Sequence, residues 1–174
     1  CYVMFFTTEI RRKFMKEEKE KTKLVNCKKF PNHIAIVIDN YEQKYHNQLK
    51  DAVRFLKEIK EIKIISLFFT ANKKCNLENL KLPENVNVYF EENVKKDFHK
   101  LMSDKTEING THYPFPAPVD FVVIYSNVPN LCGFYTWTLD LSTLFFSGTI
   151  RNLSEESLVN ALLDFENSVQ RYGK

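Results

Sequence analysis

The sequence predicts an α/β domain with a mostly parallel central sheet of about five strands flanked by helices. Two features carry that prediction. Ile34 to Ile38 and Phe121 to Tyr125 are unbroken apolar runs bounded by polar residues, and Ile64 to Phe69 is interrupted by Ser66 alone, the mark of strands covered on both faces. Between the first two runs, Leu49, Ala52, Val53, Leu56 and Ile59 recur at helical spacing, so strand, helix and strand follow as a βαβ unit. A chain of 174 residues, 44% hydrophobic and 27% charged, suits one domain with a substantial core.

The elements follow in order. Residues 8 to 23 read as a charged helix. From Glu9 to Lys29 basic residues outnumber acidic ones about two to one, as expected of a segment beside a membrane surface. Cys1 to Phe6 are apolar but too few to span a bilayer. They read either as the end of a spanning helix that begins upstream, or as part of an amphipathic helix packing Phe5, Ile10, Phe14 and Met15 on the domain. Residues 1–29 are thus expected to be a basic juxtamembrane helical segment, and residues 30–174 the folded domain. Pro31 breaks the chain, and Ile34 to Ile38 form the first strand. The helix of about a dozen residues and the strand Ile64 to Phe69 come next. The stretch from Thr70 to Leu82 is thin, as expected where a flexible loop is missing from the chain. Val86 to Phe90 is a third strand, residues 93 to 103 a helix, and the proline-rich run from Asn109 to Pro118 a loop. After the strand Phe121 to Tyr125, a helix or long turn covers Tyr135 to Leu141, and Leu144 to Phe146 form the last strand. Ser154 caps a final helix running to Gln170, with Leu158, Ala161, Leu162, Phe165 and Val169 as its apolar stripe.

Several chemistries are excluded. The four glycines are Gly110, Gly133, Gly148 and Gly173, so no Gly-rich nucleotide loop, nucleophile elbow or HExxH zinc helix exists. Cys1, Cys27, Cys75 and Cys132 are scattered without a CxxC pair and read as free thiols. His33, His46, His99 and His112 have no partner at ligand spacing. The basic residues cluster at the N-terminus, and from Pro114 onward only Arg151, Arg171 and Lys174 are basic, which argues against a nucleic-acid partner. Asn109-Gly110-Thr111 and Asn152-Leu153-Ser154 match the glycosylation sequon, which matters only in a lumen.

Ligands of open α/β sheets lie beyond the carboxyl ends of the strands, which directs attention to Asp39, Thr70 and Tyr125 onward. Asp39 is a metal-binding carboxylate or, on the simpler reading, a turn residue. Arg171 and Gly173 are either a helix C-cap or an anion clamp, with Arg171 pairing a phosphate and the Gly173 N–H approaching it unhindered.

The chain resembles the cis-prenyltransferases, the undecaprenyl and dehydrodolichyl diphosphate synthase family. The resemblance rests on Pro31 to Asp39, Val119 to Val123, Gly133 to Trp137 and the terminal Arg171-Tyr172-Gly173. In active members the resemblance implies a Gly-Asn pair and an arginine after the aspartate, yet Asn40-Tyr41-Glu42 stands here. Two further arginines fall at Ile124 and Asn130, a serine at Cys132, and an acidic metal ligand at Thr143. The pattern resembles the non-catalytic eukaryotic subunit of the Nogo-B receptor type. That resemblance implies no catalytic residue of its own, with Asp39 vestigial. Arg171 and Gly173 would bind diphosphate in a partner's active site, and Mg²⁺ would be held mainly by that partner. It also implies a catalytic cis-prenyltransferase subunit as partner and an endoplasmic reticulum membrane location with the domain facing the cytosol. Farnesyl diphosphate would be elongated by isopentenyl diphosphate, for dolichol synthesis and protein glycosylation. Trp137, Leu141, Leu144, Phe145 and Phe146 would lie at the subunit interface, or else in the core, and an unsatisfied dimer surface would let the isolated domain pair with itself. An autonomous synthase with a divergent site, and a scaffold that keeps only the fold, are the competing readings.

Overall fold

A computed structural model describes residues 24, 27–70, 82–83, 85–96, 114–134 and 142–168. Five strands form one sheet: β1 (His33–Ile38), β2 (Ile64–Phe69), β3 (Val86–Phe90), β4 (Phe121–Tyr125) and β5 (Thr143–Gly148). Their spatial order is β3-β2-β1-β4-β5 and every pairing is parallel. β1 lies at the centre, with Ile36 opposite Leu67 of β2 on one side and Val123 of β4 on the other. All six of its residues are buried, which is why the sequence there shows no alternation of apolar and polar positions.

The two faces of the sheet carry separate cores. Ile34, Ile36 and Ile38 point to a face covered by α1 (His46–Glu58) and α3 (Glu155–Asn167). Leu49, Ala52, Val53, Phe55 and Leu56 of α1 are buried there, with Leu158, Ala161, Leu162 and Phe165 of α3. Burying each of the larger side chains contributes about 1.5–3 kcal/mol. Ala35 and Val37 point the other way, to a cluster with Phe68, Ile124, Phe115 and Phe134. Val94, from a short helix α2 spanning residues 91–96, closes that side.

Three expectations change. α1 is preceded by a 3-10 turn, Gln43–Tyr45, which the helical spacing does not announce. The helix expected from residue 93 begins at 91, and its residues from 97 on lie outside the described chain. The final helix stops at Asn167, with Ser168 extended at φ −71° and ψ 131°, rather than running to Gln170. Gly173 is therefore not the C-cap of α3. Ser154 does cap α3: its hydroxyl accepts from the Ser157 N–H, and the Ser157 hydroxyl in turn accepts from the Ser154 N–H. The expected helices at 8–23 and 135–141 lie outside the described residues. No helix among those described is long and apolar enough to cross a membrane.

Candidate functional site

The strand order reverses direction between β1 and β4, and the crevice beyond their carboxyl ends is where such sheets bind ligands. Asp39 follows β1 and Ser126 follows β4 at this point, and the Asp39 N–H donates to the Tyr125 carbonyl at 2.9 Å. A small cavity of about 80 Å³ opens here between Asp39, Asn40, Glu42, Ser126 and Arg151.

The Asp39 carboxylate is already occupied by the protein. Oδ1 accepts from the Thr70 hydroxyl at 2.7 Å, and Oδ2 accepts from the Asn40 amide at 2.8 Å and the Ser126 hydroxyl at 3.2 Å. Three neutral donors from the ends of β1, β2 and β4 thus converge on one acid. Asn40 has φ +53°, a left-handed backbone that Asn tolerates better than most residues. The resemblance places a glycine here, so the backbone form that glycine suits is kept while its side chain is not absent.

Positive charge is scarce in this crevice. Among the described residues lining the cavity, Asp39 and Glu42 are acidic and Arg151 is the single base. Glu42 pairs with Lys44 at 2.8 Å, and the Arg151 Nε donates to the Tyr45 hydroxyl at 3.3 Å. The positions at which arginines are expected in an active relative serve other ends. Ile124 is fully buried in the second core. The Asn130 side-chain oxygen accepts from the Cys132 N–H at 2.8 Å, fixing a turn in which Cys132 has φ +50°. Burial pushes the Cys132 thiol up, with Asp39 and Glu91 adding to the rise, so it stays protonated at neutral pH and is a poor nucleophile.

Mg²⁺ in such a site takes one or two carboxylates together with substrate phosphates in an octahedral shell. The described residues do not fit a resident ion: no group of three or more potential ligands occurs among them. Among the described residues lining the cavity the carboxylates are Asp39 and Glu42, the latter paired with Lys44, and Thr143 offers only a hydroxyl at the start of β5.

The other expected site residues divide. Leu144 packs on the second core and Phe145 on the first, so both contribute to the fold. Phe146 is 44% exposed on β5, which is an edge strand. Trp137, Leu141, Arg171 and Gly173 lie outside the described residues. Cys27 and Cys132 are free thiols, as expected. Arg151 beside Tyr45 is a pairing that sequence reasoning missed; the two are 106 residues apart, and no local pattern joins them.

No family model and no curated protein matches the sequence. Solved structures do. Lavandulyl diphosphate synthase from Lavandula x intermedia, in complex with dimethylallyl diphosphate, superposes with a TM-score of 0.57 at 15% identity, covering 83% of this chain and 99% of its own. A probable undecaprenyl diphosphate synthase from Campylobacter jejuni gives the same TM-score, 0.57, and identity, 15%, over 84% of this chain and 100% of its own. The sheet order, the flanking helices and these superpositions together give the chain the cis-prenyltransferase fold.

Proposed function

We propose that this chain is a non-catalytic, activating subunit of a two-subunit cis-prenyltransferase of the dehydrodolichyl diphosphate synthase type. The observation that carries the reading is the crevice at Asp39. Its carboxylate is taken up by three neutral donors, and among the described residues around the cavity Asp39 and Glu42 are accompanied by Arg151 and by Lys44, which is already paired with Glu42. A diphosphate needs several charge-assisted bonds, each worth about 1.5–3 kcal/mol, and the described residues lining the cavity offer a single guanidinium for them. Asp39 is on this reading vestigial for catalysis.

The chain would act through its C-terminus. Arg171 supplies charge and Gly173 a backbone N–H to diphosphate in the partner's active site, where Mg²⁺ is held mainly by the partner. α3 ends at Asn167 with Ser168 as its C-cap, so the clamp residues belong to the chain beyond that helix. The basic run before Lys29 suits the cytosolic face of the endoplasmic reticulum membrane. The product would feed dolichol synthesis and protein glycosylation.

The test is isopentenyl diphosphate incorporation by this chain alone and with a catalytic cis-prenyltransferase subunit. Silence alone with strong stimulation of the partner is the expected result, and Arg171→Ala should abolish the stimulation while leaving assembly intact. Turnover by the chain alone would replace this reading with that of an autonomous synthase.

A further inference from the structure

The loop 127–133 that follows β4 is fastened at both ends by a carboxylate. At its start, the Ser126 hydroxyl donates to Asp39 Oδ2 at 3.2 Å, and its oxygen accepts from the Val128 N–H at 3.3 Å. At its end, the side chain of Glu91 packs against Gly133: a Cβ at that position would collide with Glu91 Oε1 and Cδ. Gly133 has φ +73° and follows Cys132 at φ +50°, so two left-handed residues in succession turn the chain where the carboxylate rests. Glycine meets both demands, by its backbone freedom and by the room it leaves.

Glu91 is delivered there by β3. Phe90, Phe69, Ile38 and Tyr125 lie in register at the ends of their strands, so Glu91 leaves the sheet at the same end as Asp39 and Ser126. Its side chain is only 17% exposed, whereas Lys95, one turn on along α2 and paired with it, is 53% exposed. The far side of the turn is fixed as well. Phe134 is buried and stacks on Phe115 with centroids 5.4 Å apart, and its N–H donates to the Leu131 carbonyl at 2.7 Å. Burial raises the Cys132 pKa, and Asp39 and Glu91 both add to the rise, so the two acids act on one turn.

A largely covered carboxylate resting on a bare Cα in a turn, with an ammonium paired to it, fills the place that an oxyanion ligand would take. We propose that Glu91 is a built-in occupant of that place: its carboxylate latches loop 127–133 and keeps phosphate-bearing ligands from the turn at Cys132 and Gly133. This rests on the reading of the chain as non-catalytic and gives that reading a second cause, since the place is filled from within. Lys95 is the cation that such a ligand would meet once Glu91 is removed.

The test is a titration of the isotope-labelled full chain with inorganic diphosphate, followed at the backbone amide resonances of Cys132 and Gly133. The parent should show no saturable shift. Glu91→Gln keeps the shape and removes the charge, and Glu91→Ala empties the place. Both should bind at least about tenfold more tightly than the parent, the worth of one charge-assisted hydrogen bond. Adding Lys95→Ala to Glu91→Ala should return the affinity to the parent's. The latch itself is read from stability: Gly133→Ala should lower the urea midpoint less in the Glu91→Ala background than in the parent, because the collision is gone and only the backbone strain stays. Folded Glu91 variants that gain no diphosphate binding overturn the proposal, as does an equal cost of Gly133→Ala in both backgrounds. If Glu91→Ala fails to fold, Glu91→Gln decides. A parent that turns over isopentenyl diphosphate on its own fails the non-catalytic reading and the latch with it. A silent parent whose Glu91 variants still take no diphosphate fails the latch alone.

Discussion

Asp39 joins the ends of three strands, and that role has consequences separable from catalysis. Replacing it by Asn keeps one acceptor but sets a second amide against Asn40 Nδ2, so the variant should lose about 1–2 kcal/mol of unfolding free energy. Turnover of the mixed complex should stay near that of the parent, measured after correcting for folded protein. A drop beyond tenfold would put Asp39 back into the chemistry. His33 makes a second prediction at this scale. It is fully buried at the start of β1, with Nδ1 at 3.1 Å from the Ala117 and Pro118 carbonyls, so that nitrogen bears the proton. Nε2 then accepts from the Ser66 hydroxyl at 2.8 Å. Burial pushes its pKa below the ordinary 6.5, with the two carbonyls and the Asp120 carboxylate opposing only in part; Tyr89, also bonded to Ser66, is neutral. The unfolded chain therefore binds the proton first, and stability falls as pH drops from 6.5 through the lowered native value. Urea midpoints should be flat above about pH 7 and decline toward about pH 5, and His33→Gln should flatten the decline. An unchanged slope in the variant would assign the pH dependence elsewhere. Neither arrangement is legible in the chain, because apart from Asn40 beside Asp39 the partners of Asp39 and His33 lie 31 to 87 residues away.

Elements of this fold were readable wherever burial alone decides them. β1, β2 and β4 are near-continuous apolar runs because both faces are covered, and α1 shows its stripe because only one face is. Endings were less readable, since they depend on caps. The reciprocal bonds between Ser154 and Ser157 mark the start of α3 as the sequence suggests. At its end the Ser168 N–H and hydroxyl both donate to the Phe165 carbonyl, and Lys29 donates to the Ser168 carbonyl from 139 residues away; the helix falls three residues short of the expected Gln170. Ser154→Ala should cost about 1 kcal/mol, visible as a lower melting temperature. Ser157→Ala should cost more, because its hydroxyl also lies 2.8 Å from the buried Tyr125 hydroxyl, leaving that phenol with Ser147 alone. Equal losses for the two variants would mean that the Tyr125 bond contributes nothing beyond the cap.

Across the domain, the parallel sheet formed by the described residues has β3 and β5 as its outer strands. An edge strand carrying an exposed aromatic is a liability unless something covers it. β5 is such a strand: Leu144 and Phe145 are partly spent on the two cores, while Phe146 stands 44% exposed. On the proposed reading, this apolar edge would dock on the catalytic subunit. Phe146→Lys tests this. Because the side chain is exposed and already outside both cores, its replacement should shift unfolding by less than about 0.5 kcal/mol. If the edge is the contact, a central aromatic anchor is worth about 2 kcal/mol or more, so affinity for the catalytic subunit should fall at least tenfold by titration calorimetry. Self-association of the isolated domain should fall in parallel if a second copy uses the same edge when the partner is absent. Unchanged affinity for both would confine Phe146 to ordinary surface exposure and move the contact to another face of the domain.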